Sequence, residues 1–414
     1  MSDYAPFLSW IDSQQSRMVS LVTRWANINS GTYHLAGLHH LSQAIQLAFA
    51  SLNADSTEHL ALLPHQKIDS HGRPIEAPLA NALRFRKRPD APLQIFLCIH
   101  MDTVYPADSP FQQTKLLDAN KLNGPGVTDA KGGIVILLIA LECLERFVVS
   151  GAPHVHAGFP LGWEVLLNPD EEIGSPGSKP YLLEAAKHNH LGLLFEPALP
   201  DGSLGGERKG SGNFAVVVRG RSAHAGRNPQ DGRSAIVALS HIALALHELP
   251  RQLPGLSVNV GQIEGGGALN MVPDLAIARF NVRIGAPDVH PGLPRIEEHL
   301  QRLIAPFNRD GILVELHGEI TSPPKLVDPP TARLMDEVRK CAAELGLDLN
   351  FGPTGGTCDG NRLAAAGLAT VDSLGARGDG IHSPEEFLWL DSLVERAKLT
   401  GLLLMKLAAG ELRD

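Results

Sequence analysis

Three observations predict an α/β chain: a mostly parallel, helix-covered sheet carrying a smaller α+β unit inserted into it. Apolar runs of strand length end in acids or histidine, as Leu93–Ile99 does at His100 and Val165–Leu167 does at Asp170-Glu171-Glu172. Up to about residue 208 such runs alternate with helical periodicity, the rhythm of a parallel sheet covered on both faces. From about residue 209 the order becomes β-α-β-β-α-β, the split ferredoxin-like arrangement. A chain of 414 residues is long for one compact core, so more than one domain is expected. We place the boundaries at 1–208, 209–321 and 322–414, the outer segments forming one domain.

In chain order, Leu8, Ile11, Met18, Leu21, Val22 and Trp25 repeat at helical spacing, as do Leu38, Leu41, Ile45, Phe49 and Leu52. Asn27–Thr32 between them reads as a turn that caps the following helix. The strand Leu93–Ile99 ends in His100-Met101-Asp102. A lone histidine at a strand end is usually structural, but a carboxylate two residues on can hold the ring in its ligating tautomer. Asn123–Gly133 is a glycine-rich turn opening an apolar helix through Leu144, and it lacks the Gly-Lys-Ser/Thr ending of a phosphate-binding loop. Asp129 in this turn reads as a metal-bridging carboxylate. The strand Leu191–Phe195 ends in Glu196-Pro197. Asn213–Arg219, Leu256–Ile263, Leu275–Ile284 and Ile312–Leu316 read as strands of the inserted unit, with helices at Gly232–Leu249 and Ile296–Ile304. Ser322-Pro323-Pro324 marks the return to the first domain. A helix over Thr331–Leu345, the loop Gly355–Asn361 and a last helix from Asp391 to Leu407 complete the chain.

Hydrophobic residues make up 43% and charged residues 20%, an ordinary globular composition, and a net charge of -9 argues against nucleic-acid or anionic-membrane partners. Neither a signal peptide nor a membrane span is expected. Cys98, Cys143, Cys341 and Cys358 show no Cys-x-x-Cys spacing, which fits reduced thiols in a cytoplasm. Any metal site must then use histidine and carboxylates.

Three adjacent acids repel one another and call for a compensating cation. Taken alone, Asp170-Glu171-Glu172 would be a solvated acidic turn. With His100, Asp129, Glu196 and His382 it forms a set of two histidines and several carboxylates without thiolates, which fits zinc or a similar divalent ion in an open hydrolytic site. One bridging carboxylate could hold two metals roughly 3.5–4 Å apart, leaving another carboxylate free as general base. No Gly-x-Ser-x-Gly elbow supports a serine hydrolase. Gly265-Gly266-Gly267 lacks the dinucleotide fingerprint.

The same residues carry a family resemblance. His100-Met101-Asp102, Asp129 with Lys131-Gly132-Gly133, Asp170–Ser175 and Phe195-Glu196-Pro197 match in order, followed by Ser222–Gly226, Asn270–Pro273 and His382–Glu385. On them the chain resembles the zinc-dependent aminoacylase and carboxypeptidase family that includes acetylornithine deacetylase, succinyl-diaminopimelate desuccinylase and bacterial glutamate carboxypeptidase. The last is the nearest branch, given Glu196-Pro197 and Arg208-Lys209-Gly210. The resemblance implies a zinc-peptidase-type catalytic domain with an inserted dimerisation domain. It implies two divalent ions, zinc with cobalt or manganese as alternatives: His100, Asp129 and Glu196 on one, Asp129, Glu172 and His382 on the other. Asp102 would orient His100, Glu171 would be the base, and His224 would reach the partner subunit's site in a homodimer. Asn270, Arg283, Gly355 and Gly356 would contact substrate, a small peptide or N-acyl amino acid. The implied reaction is amide hydrolysis beside a free α-carboxylate, releasing a C-terminal, acidic residue. The alternatives are an N-acyl-amino-acid deacylase and a catalytically silent metal-binding scaffold. Ala130 and Cys358 depart from the family's usual Met and Ser without removing a ligand.

Overall fold

The computed structural model describes residues 3–151, 161–285 and 295–412. The chain opens with α1 (Ala5–Asp12), α2 (Gln15–Ala26), α3 (Leu35–Phe49), β1 (Ser56–Leu60), β2 (Ala82–Lys87) and β3 (Leu93–His100). It continues with α4 (Gly133–Val149), β4 (Leu161–Asn168), α5 (Lys179–His188) and β5 (Leu191–Leu194). The inserted unit runs β6 (Gly210–Arg219), α6 (Ala235–Gln252), β7 (Leu256–Gly265), β8 (Leu275–Ile284), α7 (Ile296–Ile304) and β9 (Leu313–Ser322). The chain returns as α8 (Pro329–Glu344), α9 (Asp359–Ala365), β10 (Ala369–Val371) and α10 (Asp391–Ala409).

The large sheet has the order β1-β2-β4-β3-β5-β10. β4, β3, β5 and β10 are parallel, whereas β1 and β2 extend one edge in antiparallel fashion. Side chains of a strand alternate between faces, and β3 shows the result. Ile95, Leu97 and Ile99 pack into the core beneath α4 and α10. Phe96 and Cys98 join Leu182 of α5 and Leu363 of α9 on the opposite face. Both faces are dry, which is why β3 and β4 are apolar along nearly their whole length rather than in alternation. Cys98 is plain core packing.

The inserted sheet has the order β7-β8-β6-β9, with every neighbouring pair antiparallel. One face buries Val216, Val218, Ala278 and Phe280 against Leu239, Ile242 and Leu246 of α6 and Leu300 of α7. Part of the other face is covered by a hairpin from the first body, His65–Ile68 with Pro74–Ala77. Its Ile68 packs on Ala215, Val217 and Ile277, and Arg279 Nη2 donates to the Ile68 carbonyl at 2.8 Å. The uncovered part faces a cleft.

Two expectations are corrected. The periodicity over Leu8–Trp25 is two helices, broken at Ser13-Gln14. The Asn27–Thr32 turn does not cap α3, whose N-cap residue, His34, makes no side-chain cap. Asn29 Oδ1 instead closes its own turn onto the Gly31 N–H at 3.1 Å, and the Thr32 hydroxyl is committed to Asp102 at 2.7 Å.

The chain enters and leaves the inserted unit side by side. Arg208 and Lys325 exchange both main-chain hydrogen bonds, at 3.1 and 3.0 Å. Beneath them the fully buried Asp372 accepts from Arg208 Nη2 at 2.6 Å and Lys325 Nζ at 2.5 Å. Burial opposes ionisation, yet these two cations hold the Asp372 carboxyl well below the usual range. Asp372→Asn leaves two buried cations without their anion and should lower stability by about 3–5 kcal/mol, read from urea unfolding. Because the folded pKa is depressed, this contribution is fully present above about pH 4, the ordinary Asp value, and is lost as the pH falls below it. The wild-type and variant curves should therefore converge in acid.

Candidate metal centre

The carboxyl ends of three adjacent parallel strands, β4, β3 and β5, supply most of the site, the usual place for a site in an open α/β sheet. His100 is the last residue of β3 and is 1% exposed. Glu171 and Glu172 sit in a short turn after β4, and Glu196 lies two residues beyond β5. Asp129 comes from the kinked turn Val127–Gly132 that leads into α4. His382 stands on a tight turn in left-handed backbone conformation, φ 64°.

Asp129 faces both histidines with different oxygens. Its Oδ1 lies 2.9 Å from His100 Nε2, which is 3.8 Å from Glu196 Oε2. Its Oδ2 lies 3.3 Å from His382 Nε2, which is 3.3 Å from Glu172 Oε2. Ligand atoms of His100, Asp129 and Glu172 all fall within 4.8 Å of one another. Glu172 Oε1 is buried without a hydrogen-bond partner, an arrangement that costs free energy unless something else meets it.

The electrostatics point the same way. Burial, then the Glu196 charge, pushes the Glu171 carboxyl well above its usual range. Burial and Asp129 push Glu172 up to about 7, and burial takes Glu196 up to about 8 against the pull of His100. Hydrogen bonds to Asp129 and Glu172 push His382 up to about 10. Burial works against a charged His100, but Asp102 and Asp129 raise it well above the ordinary value. Both imidazoles in turn hold Asp129 well below the carboxylate range despite its burial. The glutamate and histidine shifts all draw protons inward, the response of a site short of positive charge. The nitrogen and oxygen donors present fit a divalent cation.

Other acids hold the scaffold. The nearest acceptor to His100 Nδ1 is the Asp102 main-chain carbonyl, at 2.9 Å, with the carboxylate at 3.4 Å. That carboxylate accepts from the Thr32 hydroxyl and from the N–H groups of Glu171 and Glu172, at 2.7, 3.2 and 3.3 Å. Asp102 therefore orients the glutamate turn as well as the histidine. Asp170, first of the triplet, turns inward and accepts from Gly177 N, Ser178 N and the Ser178 hydroxyl. It faces away from the putting-together of ligands and fixes the turn instead. Asp359 accepts from Ser175 Oγ at 2.5 Å and Asn168 Nδ2 at 2.8 Å. The Phe195-Glu196 main chain is wedged between two glycines: a Cβ at Gly133 or Gly375 would come within 2.1 or 2.2 Å of the Phe195 carbonyl.

The cluster opens into a cleft of about 360 Å³, lined by Asp129, Glu171, Glu172, Glu196 and His382 on one side. Arg283, Asn213 and Asn281 of the inserted sheet and Gly356 and Thr357 also line it. Arg283 lies within β8, half-buried, with Nη1 donating to Thr357 Oγ1 at 3.2 Å. Gly355 borders this lining without joining it. His224 and Asn270 lie apart from the cleft of their own chain, on exposed loops joined by the Ala225 N–H to the Asn270 carbonyl at 2.8 Å. Sequence reading overlooked Thr32, Tyr105 and Glu386. Glu386 is fully buried beside the site, and nothing in the run Glu385-Glu386 distinguishes it from its exposed neighbour.

Asp102→Asn puts an amide N–H where main-chain N–H donors now point. Loss of such outer support typically costs 10–100-fold in metal affinity. Calorimetric titration of the variant with zinc should show a loss in that range with unchanged circular dichroism. Wild-type affinity would remove Asp102 from the support of the site.

Carboxypeptidase G2 of Pseudomonas sp. (strain RS-16) is 29% identical over 333 residues, 77% of this chain and 74% of its own length. A succinyl-diaminopimelate desuccinylase of Verminephrobacter eiseniae is 27% identical over 323 residues, covering 73% of this chain and 75% of its own. The fold is shared with the M20 family metallo-carboxypeptidase Sso-CP2 from Sulfolobus solfataricus, with a TM-score of 0.69 at 16% identity over 94% of this chain and 98% of that one. The match to peptidase family M20/M25/M40 runs over residues 96–406, from within β3 into α10 and across the ends of β3, β4 and β5 that border the cleft, and the chain belongs to that family.

Proposed function

We propose that this family M20 hydrolase cleaves an amide bond next to a free α-carboxylate, releasing a C-terminal residue, by preference an acidic one, from a small peptide or N-acyl amino acid. The observation that carries this reading is the division of Asp129, one oxygen toward His100 and Glu196 and the other toward His382 and Glu172. His100, Asp129 and Glu196 would hold one divalent ion, and Asp129, Glu172 and His382 a second, zinc or alternatively cobalt or manganese. Such ions supply Lewis acidity, polarising a carbonyl and lowering the pKa of water.

The chain's own groups do the rest. Glu171 faces the cleft without joining either set, so it is free to take a proton from the attacking water. It then returns that proton to the leaving nitrogen as the C–N bond breaks. The N–H groups of Gly226 and Arg227 donate to His224 Nδ1 at 3.1 and 3.2 Å. The neutral ring therefore carries its proton on Nε2, as a donor for a developing oxyanion needs. His224 would act from a second subunit. The exposed Val237 and Leu244 on α6 and Ile263 on the edge strand β7 support a homodimer through the inserted unit. Arg283 is suited to a bidentate grip on the α-carboxylate. The desuccinylase relative supports a second reading, an N-acyl-amino-acid deacylase using the same residues on the same bond. The four thiols are unpaired and buried, in keeping with a cytoplasmic setting.

Glu171→Gln removes a proton acceptor and no ligand, so kcat should fall roughly 10²–10⁴-fold with metal content unchanged. Glu172→Gln should lose metal. Metal analysis of both purified variants decides this, and metal loss from Glu171→Gln would reverse the assignment.

Substrate choice is read from turnover of N-acyl-glutamate, N-acyl-alanine and the α-amide of each. Free acids should be cleaved and the amides spared. Arg283→Lys keeps the charge and loses the fork, so KM should rise more than kcat falls. Equal turnover of acids and amides would sink the carboxylate grip, and a preference for alanine would sink the acidic specificity.

A further inference from the structure

The two halves of the cluster are supported differently. His100 and Glu196 are held at the ends of hydrogen-bonded strands in the middle of the large sheet. His382 lies outside the large sheet, in the loop of a short hairpin whose strands, Gly378–Asp379 and Phe387–Trp389, belong to a separate small sheet with Lys121–Asn123. It projects from the turn Gly380–Ser383, where Gly380 and His382 both have left-handed backbone, and its side chain is 51% exposed. Its partner Asp129 likewise sits on a loop, ahead of α4.

These two loops are stitched to each other. Glu386 Oε1 accepts from Thr128 N at 2.9 Å and from Asp129 N itself at 3.1 Å. Its Oε2 accepts from Gly126 N at 2.9 Å and lies 2.9 Å from the Tyr105 hydroxyl. That hydroxyl is also 2.8 Å from the carbonyl of Ser383, the residue after His382. Tyr105 thus shares its single proton between Glu386 and the histidine's own turn. Further along, Asn123 Nδ2 donates to the carbonyls of Pro384 and Glu386, and Thr128 Oγ1 to that of Phe387. A carboxylate with two oxygens, each able to accept more than one bond, suits this junction of three N–H groups and a hydroxyl.

We infer that Glu386, with Tyr105, is a positioning residue for the second metal position, the one formed by His382, Glu172 and Asp129 Oδ2. The inference rests on the two-metal reading above. Glu386 touches neither substrate nor ligand atoms; it fixes the distance between the loop bearing Asp129 and the loop bearing His382. The first position shares Asp129 with this junction, but its other two ligands, His100 and Glu196, stand at the ends of strands in the large sheet, so it depends on the junction less than the second.

The test is metal stoichiometry and stepwise affinity, read by calorimetric titration of the metal-free full-length protein with zinc and by the absorption of cobalt. Wild type should bind two ions per chain. Glu386→Gln keeps one oxygen acceptor and sets an amide N–H against the Gly126 N–H. It should weaken the second ion 10–100-fold, the range for outer support of a metal site, and leave the first within about threefold. Tyr105→Phe removes one hydroxyl alone and is the milder check should Glu386→Gln fail to fold. It should weaken the second ion by several-fold with an unchanged melting temperature. Two ions in wild type with equal weakening of both steps, or of neither, in these variants would overturn the inference. Fewer than two ions in wild type would overturn the two-metal reading and this inference with it.

Discussion

Mutual repulsion of carboxylates governs this structure. Asp129, Glu171, Glu172 and Glu196 all border one cleft. Two unit charges 4 Å apart interact by about 4 kcal/mol at an effective dielectric of 20, and a whole domain is stable by only about 5–15 kcal/mol. Such a cluster survives because the fold around it is held by other means and because cations can enter it. Four ionised carboxylates carry the charge that the two proposed divalent cations would cancel.

The acids in and around the cleft fall into two kinds. Asp102, Asp170, Asp359 and Glu386 are saturated with N–H and hydroxyl donors and serve as cross-links between loops. Asp129 meets imidazole rings, and Glu172 keeps an oxygen with nothing to accept from. Donor supply therefore separates scaffold from ligand where burial alone does not, since both kinds are largely enclosed. The triplet Asp170-Glu171-Glu172 illustrates this within three residues: one acid bonds inward to the next turn, and two face the cleft.

Much of this was legible in the sequence because β3, β4 and β5 are dry on both faces. Their apolar runs stop where the sheet stops, so the acid or histidine at each end announces a site. The inserted unit was legible for a similar reason, its strand and helix order being unbroken. The edge strand Ser56–Leu60 and the hairpin around Ile68 went unread because they are half or largely exposed and carry mostly polar residues. Thr32 and Glu386 were invisible for a different reason. Each acts through a contact far away in the chain, 70 residues for Thr32 with Asp102 and 260 for Glu386 with Gly126, and no local pattern encodes such a pairing. His224 and Asn270 were singled out through resemblance, and within one chain they stand apart from the other candidates.

The paired crossings at Arg208 and Lys325 have an evolutionary consequence. Because the chain leaves and re-enters at hydrogen-bonded neighbours, everything between them could be exchanged for another unit, or shortened to a tight turn, without stretching the sheet that bears His100 and leads into Glu171, Glu172 and Glu196. The cleft wall formed by Asn213, Asn281 and Arg283 and the cluster of His100, Asp129, Glu172, Glu196 and His382 thus belong to segments free to diverge at separate rates. A scaffold joined in this way can remodel one wall of its cleft while keeping the acid and histidine cluster of the other.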